Sequence, residues 1–188
     1  MLWDREESKL HEGMAHNPTP DVIRKSLKHF GVARSFAGIA SDPSALQYIA
    51  DELRNITQHG NLTANEAEEK VELLTKQFKT KFKRSSVSAA SKLLWLKHRT
   101  PFIIYDSRAT LALGFARKPT YADYCAEWRR NYEGSRSAIA AASSRLCEIT
   151  GFLSSWLRSP DTLSTITRED WFHERTFDVY LWETGGDG

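Results

Sequence analysis

Apolar residues recur every three or four positions along most of the chain and strand-like alternation is scarce, so the pattern predicts an all-α protein. After a polar opening and the punctuation Asn17 to Pro20, residues 21–30 read as a short helix with Gly31 in the stopping position. Ser41-Asp42-Pro43 starts the next helix, with Leu46, Ile49, Ala50 and Leu53 on one face and His59-Gly60-Asn61 at its expected end. Thr63 and Glu66 have the spacing of a capping box ahead of Val71, Leu74 and Phe78. Ser85-Ser86-Val87-Ser88 interrupts the pattern before a compact apolar helix over residues 89–96. The residue before a proline disfavours helix, so Pro101 closes that region. Residues 102–105 then read as extended chain entering a helix capped by Asp106, with Leu111, Leu113 and Phe115 turned inward.

Gly114 and Arg117-Lys118-Pro119 mark the next boundary, and Thr120 caps a helix rich in Tyr and Trp whose expected end is Gly134. Residues 135–157 read as a long helix with an Ala-rich middle, 138–142, suited to close packing. Ser159-Pro160-Asp161 interrupts it, Thr167 and Asp170 have capping-pair spacing, and Trp171, Phe172, Phe177, Val179, Leu181 and Trp182 close the chain. No internal repeat or low-complexity linker separates two halves. The expectation is a single helical domain over residues 1–184 followed by a flexible tail, 185–188.

The 188 residues suffice for a sizeable core. Cys125 and Cys147 form neither a metal-ligand spacing nor a disulfide framework, which suits a reducing cytoplasm. The absence of a long apolar window and of a signal-peptide pattern points to a soluble protein away from membranes. Charge changes the picture more. The formal net charge is only +2, yet residues 73–105 contain no acid and carry Lys76, Lys79, Lys81, Lys83, Arg84, Lys92, Lys97 and Arg99. So lopsided a field points to a polyanion such as nucleic acid. The bland alternative is a solvated basic face.

Two residues bracket an apolar segment at the end of that run, Lys92 before Leu93-Leu94-Trp95-Leu96 and Asp106 after Phe102-Ile103-Ile104-Tyr105. An amine that attacks carbon reacts in its neutral form, which burial and nearby cations favour, and Lys92 lies where the cationic run meets apolar chain. Asp106 lies at an expected helix N-terminus, where backbone N–H groups and the helix dipole stabilise negative charge. A carboxylate suits positive charge developing on a sugar and an amine can capture the anomeric carbon as a Schiff base, a pairing that fits N-glycosidic bond cleavage in nucleic acid. Taken separately, Asp106 is an ordinary N-cap and Lys92 a snorkelling lysine.

The run Ser88-Ala89-Ala90-Ser91-Lys92-Leu93-Leu94-Trp95-Leu96, with Pro101-Phe102-Ile103-Ile104-Tyr105-Asp106-Ser107-Arg108, resembles the core of OGG-like (8-oxoguanine DNA glycosylase-like) enzymes of the helix-hairpin-helix superfamily. The resemblance covers mainly residues 85–110, the expected catalytic hairpin region. It implies a helix-hairpin-helix glycosylase fold with Lys92 and Asp106 as catalytic residues. It also implies double-stranded DNA carrying a modified base as substrate, excision of a flipped-out base to leave an abasic site, and AP-lyase nicking by β-elimination. No cofactor is implied, and a monomer is expected. Bacterial members are often found in anti-phage settings, which suggests a hypermodified phage base such as glucosylated hydroxymethylcytosine, with oxidised purine as the superfamily precedent. The usual hairpin glycines are absent, and Ser88 and Ser91 with Lys79, Lys81, Lys83, Arg84 and Arg108 are the expected DNA contacts. Base recognition is expected of the aromatics around Tyr121, Tyr124 and Trp128, or of Trp171, Phe172 and His173.

Two other classes compete. Arg54-Asn55-Ile56-Thr57-Gln58-His59 fits the R-x4-H pattern of HEPN-type metal-independent RNases, with Arg54 and His59 as the pair. A non-catalytic DNA-binding helical module would share the same cationic surface.

Overall fold

The computed structural model describes residues 6–33, 38, 42–56, 62–148 and 160–186, and every regular element among them is helical. The fold is all-α. The chain divides into two compact units, Met1–Tyr105 and Asp106–Gly188.

The first unit holds α1 (Ser8–His16), α2 (Pro20–His29), α3 (Pro43–Asn55), α4 (Ala64–Phe82) and α5 (Val87–His98). Helix α1 lies in the stretch that reads only as a polar opening. It buries just Leu10 and Met14, too sparse a repeat to stand out. Helix α2 ends at Gly31, whose φ of 64° lets its N–H reach the Lys28 carbonyl while the Val32 N–H reaches that of Leu27, each at 3.0 Å. Asp42 accepts the Ser44 and Ala45 N–H groups ahead of Pro43, and Thr63 and Glu66 form the expected capping box at α4. The expected helix end at His59-Gly60-Asn61 lies outside the described residues.

Helix α5 starts two residues earlier than its apolar pattern suggests, because the Ser86 hydroxyl accepts the Ala89 N–H at 3.2 Å. It packs against α1, α2 and α4, and residues 89–96 are all buried. An apolar surface on every side is what such a central position requires. The core around it is built from Met14, Ile23, Leu27, Ile49, Leu53, Leu74, Phe78, Trp95 and Phe102.

The second unit holds α6 (Ser107–Ala112), α7 (Tyr121–Ser144), a 3₁₀ turn at Arg145–Glu148, α8 (Pro160–Ile166) and α9 (Asp170–Thr184). Helix α9 packs on both α6 and α7. Five sequence expectations are corrected here. Leu111 is not inward but 63% exposed, and Leu113 and Phe115 are half-exposed. In so short a helix Ala109 and Thr110 occupy the buried stripe, and Gly114, at φ 82°, turns the chain away. Gly134 does not end α7, which runs ten residues past it to Ser144. At this exposed position a glycine costs a helix only about 1 kcal/mol. The Ala-rich stretch 138–142 packs little, being exposed or half-exposed.

Thr167 and Asp170 do not form the expected capping pair. The residue preceding α9 is Glu169, with no side-chain cap, while buried Thr167 directs its hydroxyl to the Ser164 carbonyl at 3.3 Å. Gly185 and Gly186, in the stretch expected as a loose tail, sit in a turn against Arg108. A Cβ added at Gly185 would fall 1.9 Å from the Arg108 carbonyl oxygen. No described helix is long and apolar enough to cross a membrane.

Candidate functional site

In the first unit, Lys92 sits in the second turn of α5 and is 5% exposed. Its Nζ donates to the Ser88 hydroxyl one turn earlier at 3.1 Å and lies 5.7 Å from the centre of the Phe30 ring, at the end of α2. A lysine this enclosed is uncommon in a folded protein. Ser91 is fully buried, with its hydroxyl donating to the Ser88 carbonyl at 3.3 Å and accepting the Tyr105 N–H at 3.0 Å. That hydroxyl is engaged inside the unit, whereas Ser88 is half-buried.

Between α5 and residues 102–105 the chain turns sharply. Arg99 has φ 57°, the Thr100–Pro101 peptide is cis, and the Phe102 N–H returns to the Arg99 carbonyl at 2.9 Å. Residues 102–105 then carry no regular secondary structure, each 6% exposed or less.

The basic run divides by direction. Lys76, Lys79, Lys81, Lys83 and Arg84 are exposed along the end of α4 and the link to α5. Lys81 places its Nζ 5.2 Å from the Tyr48 ring centre, and Lys76 keeps a loose 3.9 Å ion pair with Glu72. Lys97 instead turns inward, donating to the Leu53 and Ile56 carbonyls (2.8 Å to the latter) and so capping the end of α3. Burial, with Lys70 nearby, lowers its pKa.

Arg54 is likewise occupied. It donates to the Asn17 side chain at 3.0 Å and the Pro18 carbonyl at 2.8 Å and pairs with Asp51. His59 lies outside the described residues.

In the second unit, Asp106 caps α6 as expected, its carboxylate accepting the Arg108 N–H at 3.0 Å. Its backbone is hydrogen-bonded to Tyr124, a phenol that burial, and then the Asp178 carboxylate, push well above the ordinary tyrosine pKa. Asp178 itself is 5% exposed and accepts the Trp128 indole N–H at 2.8 Å. Arg108 is exposed, with its guanidinium 4.2 Å from the Trp182 ring centre.

The aromatics named for base recognition mostly form core. Tyr121, Tyr124 and Trp128 are buried, Phe172 is 3% exposed, and His173 holds the Thr167 carbonyl through Nε2 at 2.7 Å. Trp171 is half-buried, edge-on to Phe172. Trp182, 42% exposed beside Arg108, and Tyr180, 60% exposed, are the open aromatic surfaces of α9. Helical spacing alone does not separate these from the buried set. Also unsingled by the sequence pattern is the adjacent pair Arg117 and Lys118, both exposed. Its signal was the absence of an acid between Asp106 and Asp123.

No protein-family model, no curated protein and no solved structure matches this chain.

Proposed function

We propose that the chain is a DNA glycosylase that excises a modified base through Lys92 and Asp106. The observation that carries the proposal is the enclosed Lys92 ammonium, set between the Ser88 hydroxyl and the Phe30 ring on a central apolar helix, in a unit whose exposed Lys79, Lys81, Lys83 and Arg84 suit a phosphate backbone. A lysine serving only as a surface charge has no reason to be buried in α5.

In this reading the flipped nucleotide presents its anomeric carbon to the Lys92 side-chain nitrogen. The glycosidic C–N bond breaks, its electron pair leaves with the base, and the base takes up a proton from solvent. The Asp106 carboxylate stabilises positive charge on the sugar as the bond lengthens. The Lys92 nitrogen bonds to the anomeric carbon and gives up a proton, and the ring oxygen takes up a proton as its bond to that carbon breaks, which leaves an iminium; water hydrolyses it to an abasic site, or loss of a C2′ proton expels the 3′ phosphate by β-elimination and nicks the strand. The preferred substrate is a hypermodified base such as glucosylated hydroxymethylcytosine, with oxidised guanine as the alternative within the class.

The test incubates the protein, without added metal, with plain, oxidised-guanine and glucosylated hydroxymethylcytosine duplexes. Alkali reveals abasic sites and borohydride traps the iminium. Wild type is expected to act on one modified duplex and to give a trapped adduct. Lys92→Met, which keeps the side-chain volume, should lose the adduct, and Asp106→Asn should lower excision by about 100-fold or more. Circular dichroism establishes that each variant is folded. Intact DNA from folded wild type on all three duplexes, or an adduct that survives Lys92→Met, overturns the proposal.

A further inference from the structure

A shallow, open depression of about 720 Å³ lies on the second unit between the 115–119 loop and the first turns of α7. Phe115, Pro119 and Ala126 give it an apolar lining, and Arg117 and Lys118 stand along the loop side. The charges facing it do not cancel. Across the depression, Glu127 is held by Arg130 at 2.6 Å and by the Asn131 amide at 2.6 Å, which lower its pKa and leave that carboxylate already matched by a cation. Asp123 accepts the Thr120 hydroxyl at 2.6 Å within the N-terminal cap of α7, where the exposed N–H groups and the helix dipole offset its charge. Arg117 and Lys118 make no ion pair among the described residues.

The loop holding them is constrained at both ends. At its start, the Gly114 and Phe115 N–H groups close onto the Leu111 and Thr110 carbonyls at 2.9 and 3.2 Å. At its end, Pro119 restricts Lys118 to extended backbone. Two exposed cations bordering an apolar floor, with no carboxylate paired to either among the described residues, suit the phosphates of a nucleic-acid strand with a sugar face laid on the floor.

We propose that this depression is a second DNA-backbone contact, in which Arg117 and Lys118 each neutralise one phosphodiester of the duplex. The inference rests on the DNA reading above and adds a backbone contact carried by the second unit. It concerns binding strength and not the chemistry of excision. Loss of the two cations therefore weakens DNA binding uniformly across sequences.

The experiment measures fluorescence anisotropy of a labelled unmodified duplex of about 20 base pairs, from 50 to 200 mM salt, with wild type and Arg117→Gln/Lys118→Gln. Arg24→Gln/Lys25→Gln, which removes two α2 cations already paired to Asp21, serves as the charge control. Each lost phosphate contact removes about 0.9 from the slope of log affinity against log salt. The Arg117/Lys118 variant should lose about 1.8, so its salt sensitivity over that range falls about tenfold short of wild type. The control should retain the wild-type slope. An Arg117/Lys118 variant that matches wild type in slope and affinity overturns this inference while leaving the glycosylase proposal intact. A slope lost equally in that variant and the control also overturns it, because net charge alone then explains the effect. Wild type that binds no duplex overturns both.

Discussion

The Ser91 hydroxyl accepts the Tyr105 backbone N–H at 3.0 Å, tying α5 to the buried segment that follows the turn at Pro101. Both residues are buried, so the bond stands where water cannot replace it. Ser91→Ala removes the acceptor and should cost about 1–3 kcal/mol of stability. Urea unfolding followed by circular dichroism measures it. A loss below about 0.5 kcal/mol would show that the buried N–H finds another acceptor without penalty.

Acid should weaken the first unit through a histidine. His98 stacks on Phe102 with ring centres 5.4 Å apart, and its Nε2 is buried without a hydrogen-bond partner among the described residues. Burial first, then the cation of Lys97, lower its pKa from 6.5 to about 4, against a hydrogen bond to the Ile56 backbone that raises it. Lys70 and His11 face it as well and lower it further. The unfolded chain therefore binds a proton near pH 6.5 that the folded chain refuses until about pH 4. Stability from this residue is fully present above 6.5 and is lost as pH falls toward 4; His11, lowered chiefly by burial, adds in the same direction. Urea midpoints at pH 8, 6, 5 and 4 should fall in wild type and fall less steeply in His98→Gln. Parallel curves for the two proteins would remove His98 from the account.

Lys83 closes α4 in the left-handed region at φ 59°, a conformation that costs a residue with a Cβ about 1 kcal/mol. It is also an exposed cation of the proposed DNA ridge. Lys83→Gly should thus raise stability by about 0.5–1 kcal/mol and reduce the slope of log DNA affinity against log salt by about 0.9. Paired melting and anisotropy measurements separate the two effects. A variant that gains stability with an unchanged salt slope would strike Lys83 from the DNA contacts.

Local features were legible because their causes lie two to five residues apart. The caps at Asp42, Thr63, Asp106 and Thr120 each join a side chain to an N–H in the same turn, and Gly31 ends α2 through bonds to its own last turn. Where a local signal was weak, the prediction failed. Gly134 costs α7 too little to stop it, and the Thr167–Asp170 spacing misses the residue that actually precedes α9.

For the candidate site, the sequence by itself determined the all-helical class, Asp106 as an N-cap and the concentration of positive charge over residues 73–105, since each follows from short-range spacing or from counting charges. Only the tertiary structure decided which way the charges face. Lys92 and Lys97 share a charge with Lys79 and Lys81, but α5 is enclosed by α1, α2 and α4, whereas the end of α4 meets solvent. The same packing made core of Phe172 and His173 and left Trp182 open beside Arg108. Burial depends on which helices meet, and residues far apart in the chain set that through the area they jointly remove from water.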